Sequence, residues 1–188
     1  MHGAASSRHS PRRDFRRGTA HGGARPGGRS VSRHVLFVCT GNTCRSPLAE
    51  AMARAHAAAR GLDIIVSSAG TSAWHDTPAS DASILVGLER NLDLSSHRAR
   101  ALTRELVDEA SLILGMAAHH VAAARALGGE GKVFLLTDYA ANDTTGRAIH
   151  DPFGEALDAY RRMADDLDAE IPRAIHRLAE EMRAERKS

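Results

Sequence analysis

Residues 34–47 read H-V-L-F-V-C-T-G-N-T-C-R-S-P. The first six are short and almost continuously apolar, as in a strand covered on both faces. Pro47 suits the first position of a helix, Ser46 before it is a favourable N-cap, and Gly61 suits the end, so a helix is expected over residues 47–60. A short turn from a buried strand into a helix N-terminus aims successive backbone N–H groups into one concavity, a nest for a tetrahedral oxyanion. Arg45 adds a planar fork that matches two phosphate oxygens at once. Cys39 stands at the floor of this nest, where the inward N–H groups, the helix dipole, the Ser46 hydroxyl and Arg45 all favour a thiolate nucleophile. The loop that holds phosphate therefore also activates a thiol to accept it, as a cysteinyl-phosphate that water then resolves.

Outward from this turn the chain alternates short apolar runs with helical ones. Strands are expected at 34–39, 62–68, 111–116 and 132–136, and helices at 47–60, 79–91, 103–110 and 117–127. Over residues 155–186, Leu157, Tyr160, Met163, Leu167, Ile171, Ile175, Leu178 and Met182 recur every three or four positions, the apolar face of a long helix, with a kink or interruption expected at Pro172. The pattern predicts an α/β fold: a four-stranded parallel sheet with helices on both faces and the phosphate-binding loop after the first strand. In such sheets ligands bind beyond the carboxyl ends of the strands, where Cys39 falls.

The composition fits one such domain. The chain has 188 residues, 43% hydrophobic and 26% charged, with only two cysteines, Cys39 and Cys44. A core of this size needs neither disulfides nor a structural metal, and so few thiols point to a reducing cytoplasm. No apolar run reaches the length of a membrane helix, so no membrane partner is expected. The net charge of +2 conceals an asymmetry: residues 1–33 carry eight of the 25 basic and one of the 23 acidic residues, a net +7, which leaves −5 for the rest. Residues 1–33, with six glycines and one aromatic, are expected to form a disordered basic tail. It could be an arm for nucleic acid or anionic lipid, a targeting peptide, or an inert stretch ahead of a true start near Val31. The last is favoured because nothing in it has motif spacing, and a nucleic-acid partner is not expected.

The stretch V-L-F-V-C-T-G-N-T-C-R-S-P-L-A-E-A, followed by S-A-G-T and by D-P-F-G at Asp151 to Gly154, resembles the low-molecular-weight protein-tyrosine phosphatase family over about residues 34–182. The resemblance implies a phosphatase domain at 34–188, with Cys39 as nucleophile, Arg45 as phosphate clamp and Asp151 as general acid. It implies that Asn42 holds the strained loop, that Ser46 stabilises the thiolate, that Thr40, Gly41, Thr43 and Cys44 complete the phosphate site, and that no metal or cofactor is needed. It also raises a reversible Cys39–Cys44 disulfide, against the equal alternative that Cys44 is simply a small loop residue. Asp151 suits proton donation because a phenol or guanidine leaving group must be protonated as its bond to phosphorus breaks.

For the substrate, a phosphorylated protein side chain, Thr43 and Phe153 resemble the protein-arginine phosphatase branch and favour phosphoarginine. Trp74-His75 resembles tyrosine-directed members and supports phosphotyrosine, with Trp74 either walling the pocket or packing. An arsenate reductase of the same fold would need further cysteines, and a mere phosphate-binding module would have lost the nucleophile or the acid. His119 and His120, at a helix start, could contact substrate near the pocket, but solvated helix-end residues are expected, and the acids of 165–168 are expected as a polar helix face.

Overall fold

The apolar run at the start of the folded body is β1, Arg33–Cys39, paired in parallel on one side with β2, Ile64–Gly70, and on the other with β3, Leu112–Gly115. A short β4, Val133–Leu135, completes a parallel sheet in the order β2-β1-β3-β4. This computed structural model describes residues 32–187; the tail expected over 1–33 lies outside them except for Ser32 and Arg33, the latter opening β1.

Period-two alternation along the strands divides the core between the two faces of the sheet. Val35, Phe37 and Cys39 of β1, with Leu112 and Leu114 of β3, meet α1 (Arg45–Ala59), α2 (Asp81–Leu88), α5 (Leu136–Ala141) and α6 (Leu157–Glu185). Leu36, Val38 and Ile113 face the opposite way, against α3 (Arg104–Glu109) and α4 (Ala118–Ala126). Helices thus cover both faces, as the continuous apolar character of β1 requires. The connection through α1 reaches β2 on one flank of β1, and the connection through α2 and α3 reaches β3 on the other. The chain therefore switches direction at the carboxyl end of β1, which opens a crevice there.

Four sequence expectations change. Ser46 is not an N-cap: α1 starts at Arg45 after Cys44, with no side-chain cap. The buried Ser46 hydroxyl turns to Cys39 instead. The helix is not interrupted at Pro172, because α6 runs unbroken through it for 29 residues. Ile171, Ala174, Ile175 and Leu178 are all buried around that proline, and their burial outweighs the roughly 3 kcal/mol that an internal proline costs. A helix absent from the sequence reading, α5, follows β4 directly and ends at Asn142 in the left-handed conformation. The strand read at 62–68 lies two residues later, so that its last residue, Gly70, reaches the phosphate loop.

Candidate active site

β1 delivers Cys39 to the crevice, and residues 40–44 turn into α1. The end of β2 braces this turn: Thr71 N donates to the Cys39 carbonyl and Ser72 N to the Thr40 carbonyl, both at 2.9 Å. Gly70 is obligatory for that contact, since a Cβ there would lie 2.5 Å from the Thr40 carbonyl oxygen and 2.9 Å from Asn42 N.

Asn42 is the keystone of the loop. It adopts φ 55°, a left-handed conformation that asparagine tolerates better than most residues, and it is fully buried. Its Nδ2 donates to Ser46 Oγ (2.9 Å) and Ser68 Oγ (2.8 Å), and its Oδ1 accepts from Arg100 N (3.0 Å). Its carbonyl lies 2.7 Å from His97 Nε2, and its own N–H donates to Cys39 Sγ at 3.3 Å. Ser68 passes its proton on to Glu50 Oε2 (2.5 Å). Ser46 Oγ stands 2.9 Å from Cys39 Sγ. Because Ser46 accepts from Asn42, its own proton is free to donate to sulfur.

Arg45 is buried at 4% exposure. Its Nη2 forms an ion pair with Asp151 Oδ2, its Nη1 donates to the Ile149 carbonyl (3.4 Å), and its Nε is buried with no partner. An unpartnered buried donor is costly, and an incoming oxyanion would satisfy it. Asp151 sits on the segment leading into α6, which is fixed behind by Ile149 N donating to the Met116 carbonyl (2.9 Å) and by Arg147 paired with Glu170 (2.5 Å) and Asp166 (3.3 Å).

Cys39, Thr40, Gly41, Thr43, Cys44, Arg45, Asp151 and Phe153 line one cavity of about 190 Å³. Asn42 and Ser46, expected to hold the loop and to act on the thiol, do not line the cavity: Asn42 ties Ser46 to Ser68, and Ser46 faces Cys39. Cys44 Sγ lies 3.5 Å from Ser80 Oγ and 3.8 Å from Tyr160 Oη, and both cysteines are free thiols. Trp74 is not a wall of this cavity, nor is it a packing anchor, for it is 84% exposed. The segment carrying it leaves the phosphate loop after Ser72 and turns to solvent. Phe153 lines the mouth yet is itself 79% exposed, a side chain with one face open to a substrate.

Fold and loop together define a class: a cysteine-dependent phosphatase, in which one turn of chain supplies both the thiol and the oxyanion nest. The comparisons with known proteins agree. The family model described as low molecular weight phosphotyrosine protein phosphatase matches residues 34–187, and the chain belongs to that family. It is 34% identical over 155 residues to the protein-arginine-phosphatase of Bacillus subtilis (strain 168), covering 81% of this chain and 99% of that one. It is 37% identical over 145 residues to a probable low molecular weight protein-tyrosine-phosphatase, EpsP, of Ralstonia solanacearum, covering 74% and 94% of the two chains. Among solved structures, a YwlE arginine phosphatase with a phosphorylated active-site serine matches with a TM-score of 0.74 at 34% identity, over 78% of this chain and 95% of that one.

Ser68, Glu50, His97 and Arg100 were not among the expected site residues, and His120, weighed as a contact near the pocket, was expected to be solvated instead. S-A-G-T marked the neighbourhood of Ser68, but no local spacing announces a contact 26 residues away. His120 is fully buried rather than solvated, while His119 remains exposed. The acids of 165–168 do more than solvate α6: Asp165 and Asp168 both pair with Arg90, at 2.5 and 2.8 Å. Among the described residues, no group of three or more His, Cys, Asp or Glu side chains could hold a metal ion. No described helix is long and apolar enough to cross a membrane.

Proposed function

We propose that this chain hydrolyses phosphoarginine in proteins, with Cys39 as nucleophile, Arg45 as phosphate clamp and Asp151 as general acid. The Cys39 thiolate attacks phosphorus as the P–N bond to the guanidine breaks, and the leaving nitrogen takes the carboxyl proton of Asp151. Arg45 and the N–H groups of residues 40–45 balance the charge on the equatorial oxygens. Water then attacks the cysteinyl-phosphate, giving its proton to the Asp151 carboxylate. The P–S bond breaks, and inorganic phosphate and the Cys39 thiolate are released.

The observation that carries the choice of substrate is Thr43 on the wall of the cavity that Phe153 also lines. A phosphoguanidine carries N–H donors that a hydroxyl can accept, and its plane can stack on an aromatic ring. An aryl ring gains nothing from that hydroxyl. The likeness to the Bacillus subtilis protein-arginine-phosphatase supports the same preference. Phosphotyrosine is the second reading, and the likeness to EpsP favours it. In this reading the phosphatase domain spans residues 34–188, the basic residues 1–33 take no part in turnover, and the two free thiols fit a cytoplasmic location.

Turnover of phosphoarginine and phosphotyrosine peptides, measured side by side for the wild type and for Thr43→Ile, tests the proposal. The wild type should prefer phosphoarginine, and the substitution should shift the ratio toward phosphotyrosine. Cleavage of phosphotyrosine alone, or a ratio that Thr43→Ile leaves unchanged, would overturn it.

A further inference from the structure

Thr40 lines the cavity, and its hydroxyl is not free. His120 Nε2 lies 2.9 Å from Thr40 Oγ1, and Arg45 Nη2 donates to the same oxygen at 3.5 Å. His120 belongs to α4, on the face of the sheet opposite α1, so the imidazole reaches the phosphate loop from a separate element of the fold. The packing that brings it there is specific. Gly115 ends β3, and a Cβ on it would lie 3.0 Å from Val121 Cγ2 and 3.3 Å from His120 Cβ. Glycine therefore lets the first turn of α4 settle onto the strand end and lower His120 toward Thr40.

The ring's protonation follows from its surroundings. Burial, then His119 and Arg45, oppose a positive charge, so His120 is a neutral imidazole with one N–H. His120 Nδ1 is buried and has no partner. If Nδ1 carried the proton, the structure would hold a buried, unsatisfied N–H, which is rarer and costlier than a buried acceptor left without a donor. The proton therefore sits on Nε2 and is donated to Thr40 Oγ1. A threonine hydroxyl has two lone pairs and one proton. With donors from His120 and Arg45 facing its oxygen, the proton is left for the cavity.

We propose that His120 is a positioning residue which, by donating to Thr40 Oγ1, commits the Thr40 hydroxyl to act as a hydrogen-bond donor to a phosphoryl oxygen bound in the cavity. Thr40 then adds a side-chain donor to the backbone N–H groups and Arg45. The inference rests on the phosphatase reading for its substrate but not for the anion, since inorganic phosphate would receive the same hydrogen bond.

The test uses the full chain with two readouts: calorimetric binding of inorganic phosphate, and kcat and KM for para-nitrophenyl phosphate. Thr40→Val and His120→Leu should each weaken phosphate binding and lower kcat/KM by about 10- to 100-fold, the loss expected for one hydrogen bond to an anion. Thr40→Ser should keep most of both. His120→Gln, whose amide N–H can stand where Nε2–H does, should recover most of what His120→Leu loses. The double variant Thr40→Val/His120→Leu should bind phosphate no more weakly than Thr40→Val alone, because the imidazole acts only through the hydroxyl.

A structural role for His120 would instead make the losses add and leave His120→Gln no better than His120→Leu, and either result overturns the proposal. Should His120→Leu fail to fold, Thr40→Val against Thr40→Ser and His120→Gln against the wild type still decide it. Equal phosphate affinity across those four proteins would sink it. Phosphate binding that depends on Thr40 and His120 in a protein with no turnover of aryl phosphate or of either phosphopeptide would sustain this inference and overturn the proposed function instead.

Discussion

Arg45 and Asp151 form an ion pair across the mouth of the cavity that Cys39 floors, the guanidinium 4% exposed and the carboxylate 46%. The residues proposed as phosphate clamp and general acid thus hold each other. In the proposed reaction, a phosphoryl group entering the nest would compete with Asp151 for the guanidinium and free the carboxyl to face the leaving group.

Asp151→Asn removes both the proton donor and the competitor for Arg45. Turnover should fall by about 10²- to 10⁴-fold, as for loss of a general acid. Inorganic phosphate should at the same time bind several-fold more tightly, because Arg45 is no longer partnered. Weaker phosphate inhibition in the variant, measured by competition kinetics, would show that the pair does not oppose ligand entry.

Asn42→Ala should lower both stability and turnover. Alanine gains nothing in the left-handed conformation, takes one hydrogen bond from each of Ser46 and Ser68, and leaves the Arg100 N–H without its Asn42 acceptor. A loss of about 2–4 kcal/mol is expected in urea unfolding. Turnover should fall further than Ser46→Ala alone produces, since that variant keeps the loop's shape. An Asn42→Ala protein of wild-type stability would mean that the loop holds its shape without this network.

What could be read in the sequence was what repeats locally. The apolar run of β1, the three- and four-residue spacing of Leu157 to Met182, and the ordered strand, C-x5-R and helix gave the sheet, the last helix and the position of Cys39 and Arg45. What could not be read depends on pairing across the fold. Ser46 has the residue type of an N-cap, yet Cys39 and Asn42 claim its hydroxyl. α5 has six residues, too few for a helical period to register. His120 looked like a helix-end residue, since its burial comes from Gly115 and Thr40, neither adjacent in sequence. Trp74 carried a pocket-wall resemblance in its neighbours, while the turn after Ser72 directs it to solvent.

Gly70→Ala tests the brace behind the phosphate loop. The added methyl would sit 2.5 Å from the Thr40 carbonyl oxygen and 2.8 Å from Ala73 Cβ, with backbone rather than a flexible side-chain tip on the near side. Overpacking of this kind costs about 1–3 kcal/mol. Displacing residues 40–42 should also lower kcat by at least ~10-fold, since misplacement of a reacting group by even 1 Å is strongly felt. A stable Gly70→Ala protein with wild-type kcat would show that the loop tolerates movement at this point.

His120 also gives the protein a defined acid sensitivity. Burial first, then His119 and Arg45, push its pKa from 6.5 down to about 3 in the folded protein. The unfolded chain, with an ordinary histidine near 6.5, binds a proton that the folded protein refuses throughout that window. Stability contributed by the neutral ring is therefore complete above about pH 6.5 and is lost as pH falls toward 3, at up to about 1.4 kcal/mol per pH unit. His34, whose pKa burial also lowers, acts in the same direction. It is present in both proteins, so comparing wild type with His120→Gln isolates the one ring. Between pH 7 and pH 5 the wild type should lose about 2 kcal/mol more than the variant in urea unfolding. Parallel pH dependences for the two proteins would show that the buried imidazole does take up a proton in the folded state, and with it that a second proton is available beside Thr40.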